Sequence, residues 1–209
     1  MSTRTYLKQS FQGAAGAPDY LKAYMSRVSE MALAIDVDRL GAVVELVEEA
    51  VAKDRAIFLM GNGGSSASAA HFVNDLGPNS LVGAAPGIRV FNLTDNVASF
   101  SAIANDSGYA SVFRLQLQTW LRPGDLVMAF SVSGNSPNIL DGVSFARQRG
   151  CPVIGFTGFD GGLLGAIADI HVNFPATSDE YGPVEDMFSV VGHAISGLVT
   201  MKRGRWLHH

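Results

Sequence analysis

Two short strings in this 209-residue chain concentrate the residue types that hold a small anion. The first, Gly61-Asn62-Gly63-Gly64-Ser65-Ser66, follows an apolar run and leads into an Ala-rich stretch. Read as a strand, a glycine turn and a helix N-terminus, it offers close backbone approach, first-turn N–H groups without internal partners, the positive end of a helix dipole and two hydroxyl donors. The same segment also reads as an ordinary βα turn with a serine cap. The second string, Ser131-Val132-Ser133-Gly134-Asn135-Ser136, repeats the recipe, with Pro137 at a first helical position. Neither is a nucleotide P-loop, because no Gly-Lys-Ser/Thr follows. The first also departs from the dinucleotide fingerprint at Ser66, where glycine or alanine is needed. A nucleotide-dependent enzyme is therefore a distant competitor, and no nucleotide cofactor is expected. Two serine and glycine loops without a basic patch point to one phosphorylated small molecule held by neutral donors.

His71 and Asp75 lie four apart on the helix expected after the first loop, so they share one face as a metal-binding or acid/base pair. A buried histidine donating to a carbonyl is the plainer reading of His71.

These residues need a scaffold. Short β-branched or aromatic runs at 56–60, 88–93, 126–130, 153–157 and 170–174 read as strands, bounded by Gly, Pro, Asn or Asp. Helical patterns fall at 19–35, 38–53, 65–76, 97–104, 109–121, 137–149, 161–167 and 184–202, with Asp36 or Asp38 as an N-cap for the second. Strands alternating with helices predict an α/β fold: a three-layer, doubly wound, five-stranded parallel sheet whose ligand site lies at the strand carboxyl ends, where strand order reverses. Residues 1–54 form an N-terminal helical arm and 55–205 the ligand-binding domain. The arm's apolar stripe predicts oligomerisation.

Composition narrows the function classes. Hydrophobic residues make up 47% and charged residues 16%, enough for a sizeable core. A formal charge of −4 gives no footprint for nucleic acid or an anionic membrane. No apolar run is long enough for a membrane span, and the first residues, Met1 to Tyr6, lack a signal core. The single cysteine, Cys151, in an apolar run, reads as a buried thiol in a reducing, cytoplasmic setting. The histidines of the closing Trp206-Leu207-His208-His209 are assigned no role.

The strings Gly61-Asn62-Gly63-Gly64-Ser65, Leu93-Thr94-Asp95, Ala102-Ile103-Ala104-Asn105-Asp106, Ser131 to Ser136 and Thr157-Gly158-Phe159-Asp160-Gly161-Gly162 resemble the sugar isomerase (SIS) domain family, and within it the phosphoheptose isomerase branch. The resemblance implies a flavodoxin-like sheet, a homotetramer with sites between subunits, and interconversion of sedoheptulose 7-phosphate with an aldoheptose 7-phosphate. It implies Asn62, Gly63, Gly64, Ser65, Asn105, Asp106, Ser131, Val132, Ser133 and Ser136 as substrate and phosphate contacts. It also implies a zinc site at His71, Asp75, Glu185 and His193.

Such an isomerisation passes through an enediol and needs a base, an acid and stabilisation of a developing oxyanion. Asp75, Glu185 and His193 are the acid/base candidates, with either carboxylate moving the proton. The branch carries glutamate where this chain has Asp75 and glutamine where it has Glu185. It also often carries an arginine shortly after the glutamate, and none follows Asp75 here. Eight residues of helix rise roughly 12 Å, so Glu185 and His193 cannot readily meet on one metal unless Glu185 precedes the helix; otherwise they serve different sites or subunits. These departures keep a second reading open, a non-catalytic phosphosugar-binding regulatory or assembly module.

Overall fold

The structure is a computed structural model and describes residues 5–205. Five parallel strands, β1 (Ile57–Gly61), β2 (Val90–Asn92), β3 (Leu126–Ser131), β4 (Val153–Gly158) and β5 (Ile170–Phe174), form one sheet in the order β2-β1-β3-β4-β5. Every residue of β1, β3 and β4 is buried, which is why those runs are continuously apolar. Ile57 pairs with Val90 on one side and Leu126 on the other, so the chain leaves β1 in one direction and returns in the opposite one. The gap between the carboxyl ends of β1 and β3 is therefore the switch point where this topology opens a crevice.

Helices cover both faces. On one lie α3 (Val37–Ala52), α4 (Gly63–Leu76) and α9 (Tyr181–Lys202), contributing Val43, Val47, Phe72, Phe188 and Ile195 to a core with Phe130 and Phe156. The rings of Phe130 and Phe156 stack at 4.7 Å between centroids. On the other face α6 (Val112–Trp120), α7 (Pro137–Gln148) and α8 (Gly162–Ile167) bury Phe113, Leu117, Ile139, Val143 and Leu164. Full burial of each such side chain stabilises by about 1.5–3 kcal/mol. Helix α5 (Val97–Ser107) and single 3₁₀ turns at Pro78–Ser80 and Tyr109–Ser111 complete the crossovers, so the helix expected from 109 begins as a 3₁₀ turn.

Asp36, not Asp38, caps α3, accepting from the Arg39 amide. Cys151 is buried, which pushes its thiol pKa up. No helix of the described residues is long and apolar enough to cross a membrane. The expectation for Trp206 to His209 lies outside the described residues.

The amino-terminal segment holds one helix more than expected, α1 (Tyr6–Gly13), before α2 (Ala17–Leu33). Both are tied to the β5–α9 connection. The Tyr6 amide donates to Thr177 Oγ1 at 3.1 Å, and Arg27 Nε donates to Glu180 Oε1 at 2.5 Å. Glu180 is fully buried and also accepts from the Thr177 amide, so the N-terminal helices fix the entry to α9.

Candidate functional site

The two serine and glycine loops meet. Residues Asn62, Gly63, Gly64 and Ser65 from the β1–α4 turn, and Ser131, Val132, Ser133 and Ser136 from the β3–α7 turn, line one cavity of 260 Å³ at the switch point. Glycine is demanded by close packing. A Cβ on Gly61 would lie 2.7 Å from the Ser65 carbonyl, whereas one on Gly64 would meet only the carboxylate end of Glu185, which can swing aside. Gly134 has φ +62° and faces the Gly161 carbonyl, where a Cβ would stand at 2.1 Å. Ser131 and Ser136 hydroxyls lie 3.3 Å apart, so both face one point.

Asn62 does not cap α4; its side chain is committed to its neighbours. It bonds reciprocally with Asn138 of α7, and its Oδ1 also accepts from Tyr109 Oη at 2.8 Å. Sequence reasoning missed Asn138, Tyr109 and Tyr181, the last lining the cavity. Only Asn138 carried a signal, as a buriable amide one residue inside a proline-started helix. Asn105 and Asp106, at the end of α5, bond to each other at 2.7 Å and are exposed; neither lines the cavity.

Glu185 lies in the second turn of α9, inside the helix and not ahead of it as one alternative required. Its Oε1 accepts from Ser65 Oγ at 2.9 Å and its carboxylate lines the cavity. Helices α4 and α9 run parallel, since each follows a strand of the same parallel sheet and packs on the same face. Contacts therefore climb both in step: Ser65 with Glu185, Ser68 with Ser189 at 3.2 Å, and His71 with His193.

Farther along that seam His71, Asp75 and His193 converge. The two Nε2 atoms lie 3.3 Å apart, and Asp75 carboxylate oxygens lie 3.7 Å from each. All three donor atoms fall within 4.8 Å of one another. Nitrogen and oxygen ligands about 2.1 Å from a tetrahedral ion stand roughly 3.4 Å apart, so this trio fits three positions and leaves a fourth open. His71 is 54% exposed, against the reading of a buried core histidine, and His193 is 56% exposed. Glu185, grouped with them by resemblance, stands two turns earlier on α9 and faces Ser65 instead, as the helix rise requires.

A doubly wound sheet with two neutral hydroxyl cradles at its switch point, and a carboxylate and an imidazole pair along one helix seam, defines a small-anion-binding α/β domain with acid/base capacity. A family model described as SIS domain matches residues 19–158, and the chain belongs to that family, among its phosphoheptose isomerases. It is 33% identical over 181 residues to a probable phosphoheptose isomerase of Thermoplasma acidophilum, covering 87% of this chain and 98% of that one. It is 33% identical over 184 residues to the phosphoheptose isomerase of Rhodospirillum rubrum, covering 87% and 96%. The solved phosphoheptose isomerase of Neisseria gonorrhoeae superposes with a TM-score of 0.77 at 27% identity, over 87% of this chain and 95% of that one.

Proposed function

We propose that this protein is a ketose–aldose isomerase interconverting sedoheptulose 7-phosphate and an aldoheptose 7-phosphate. The observation that carries the reading is the convergence of both hydroxyl loops on one cavity, with the His71, Asp75 and His193 cluster farther along the same α4–α9 seam. Six residues of helix separate Ser65 from His71, a rise of roughly 9 Å. A seven-carbon chain with phosphate on its last carbon separates the anion from the reacting carbons by nearly its full length. One end can sit in the cradle while the other reaches the cluster.

Ser65, Ser131, Ser133 and Ser136, with the backbone amides of Gly63 and Gly64, hold the phosphate, and its binding energy positions the first two carbons. Asp75 removes the proton from C2 of the open-chain aldose as the aldehyde oxygen gains a proton, giving the enediol. The proton then returns to C1 as the C2 hydroxyl loses its own, giving the ketose. With no metal on its Nε2, His193 serves the sugar oxygens as acid and base. Glu185 is committed to Ser65 beside the phosphate, so it orients the cradle and is too near the anion to reach C1 and C2. Asn62 positions the same turn, while Asn105 and Asp106 contact substrate only if a second subunit closes over α5.

His71, Asp75 and His193 suit zinc, which when bound would polarise the substrate's carbonyl oxygen. Homotetramerisation is supported by exposed Phe11, Leu21, Met25, Leu33 and Val37 on the N-terminal arm, and by the open position of the two histidines, which excludes little water in one chain. A cytoplasmic setting is consistent with the buried free thiol.

Purified protein incubated with sedoheptulose 7-phosphate and followed by proton NMR tests the reaction. The aldoheptose phosphate should appear, with solvent deuterium incorporated at the exchanging carbon. Saturable binding without product or exchange would make the protein a phosphosugar-sensing module instead.

A further inference from the structure

A second cavity, of 450 Å³, lies at the opposite end of the sheet, and its chemistry differs from that of the cradle. It is bounded by the end of α3, the approaches to β1 and β2 and the end of α9, one strand length of roughly 17 Å from the serine loops. Arg55, Arg89 and Arg203 line it, with Asp54 the single acidic residue in its wall. The Asp54 side chain is 83% exposed and stands 3.9 Å from Arg89, so it offsets little of that charge. Three arginines thus line one concavity in a chain of net charge −4, with the Arg55 guanidinium packed against Gly124.

Each arginine donates to one loop carbonyl: Arg55 to Pro123, Arg89 to Asp54 and Arg203 to Pro86. Tethering of loops accounts for those bonds and leaves most of the five N–H donors of each fork unassigned. One of them is buried: Arg203 Nε has no hydrogen-bond partner among the described residues. Sealed from solvent, that atom is out of a ligand's reach, so the donors available to a ligand are the other N–H groups of the forks. Val51 and Ile88 supply an apolar wall beside the cations.

We infer that this cavity is a second anion site, which takes a phosphate dianion, free or as the end group of a small metabolite, among Arg55, Arg89 and Arg203. Forked guanidinium donors match phosphate oxygens in pairs. The site is independent of the serine cradle, where neutral donors hold phosphate.

Titration calorimetry on the full chain tests the inference with inorganic phosphate and adenosine 5′-monophosphate as probes. Wild type should bind two phosphates per chain. Arg89→Gln with Arg203→Gln should remove one of them, and Ser131→Ala with Ser133→Ala the other. The arginine site should weaken steeply between low and physiological salt, and the serine site much less. Tighter binding of the nucleotide than of phosphate at the arginine site would assign a phosphomonoester, and equal binding would assign free phosphate. Arg89→Gln alone, whose side chain is half exposed, guards against misfolding of the double variant and should weaken that site about tenfold. One phosphate per chain in wild type, kept by both arginine variants and lost with the serines, would overturn the inference.

Discussion

Asn62 and Asn138, 76 positions apart, exchange two hydrogen bonds: Asn62 Nδ2 donates to Asn138 Oδ1 at 3.0 Å, and Asn138 Nδ2 donates to Asn62 Oδ1 at 2.8 Å. This pair joins the turn after β1 to the first turn of α7 and so holds the two hydroxyl loops at a fixed separation. Asn138 is 2% exposed, so its amide cannot exchange Asn62 for water. Asn138→Ala should cost about 1–3 kcal/mol in urea denaturation and raise KM for the phosphosugar more than it lowers kcat. An unchanged KM would mean that the loops keep their spacing without the pair.

Glu185 and Asp75 are assigned different work, and conservative amides separate them. Glu185→Gln keeps an oxygen for Ser65 while removing a negative charge beside the phosphate. It should lower KM severalfold and change kcat by less than about tenfold. Asp75→Asn, assayed with saturating zinc, should lower kcat by about 10²–10⁴ and abolish exchange of the C2 proton with solvent. The reverse ranking would make Glu185 the base.

The imidazole pair should govern metal content. Elemental analysis after zinc loading and dialysis should give one ion per chain for wild type and far less for His71→Ala or His193→Ala. Removing a group that hydrogen-bonds to a metal ligand costs about 10–100-fold in affinity, and loss of a direct ligand should exceed that. Equal zinc retention in both variants would refute the trio as a metal site.

Arg27 and Glu180 secure the N-terminal arm. Glu180 has no exposed side-chain surface, so Arg27→Met leaves a buried carboxylate supported, among the described residues, only by Thr177. The expected loss is about 3–5 kcal/mol, read from denaturant midpoints. Replacing both partners, Arg27→Met with Glu180→Leu, should recover much of it.

His171 should make stability sensitive to mild acid. Thr157 Oγ1 donates to Asn173 Oδ1 at 2.7 Å, so its other contact, at 2.6 Å, must accept from His171 Nε2–H. Burial, and secondarily Arg39, lower the histidine pKa from its ordinary value near 6.5. Between that lowered value and about 6.5 the unfolded chain binds a proton that the folded chain does not, so stability rises with pH in this window and falls on acidification. Melting temperature should drop from pH 7 toward pH 5, and His171→Gln should flatten that slope.

Much of the scaffold was readable from local pattern. All five strands were expected in order: β1, β3 and β4, covered on both faces, are near-continuous apolar runs, and the edge strands β2 and β5 are short β-branched or aromatic runs between turn residues. Helix α1 was not expected: it has no side-chain cap and no buried residue, and contacts such as Tyr6 with Thr177 hold it, 171 positions away. The glycine loops were legible because only glycine tolerates the backbone approaches at Gly61 and Gly134, and composition records that constraint.

The sequence by itself determined the five strands, most of the helices, the two hydroxyl-rich turns and the shared face of His71 and Asp75, since these follow from spacing along one strand or one helix. Tertiary structure alone decided the partners. Parallel packing of α4 and α9 placed His193 beside His71 and sent Glu185 to Ser65, and strand order brought the two turns to one cavity. Periodicity specifies which face of an element is buried, but the register between elements distant in the chain is set only when their side chains pack.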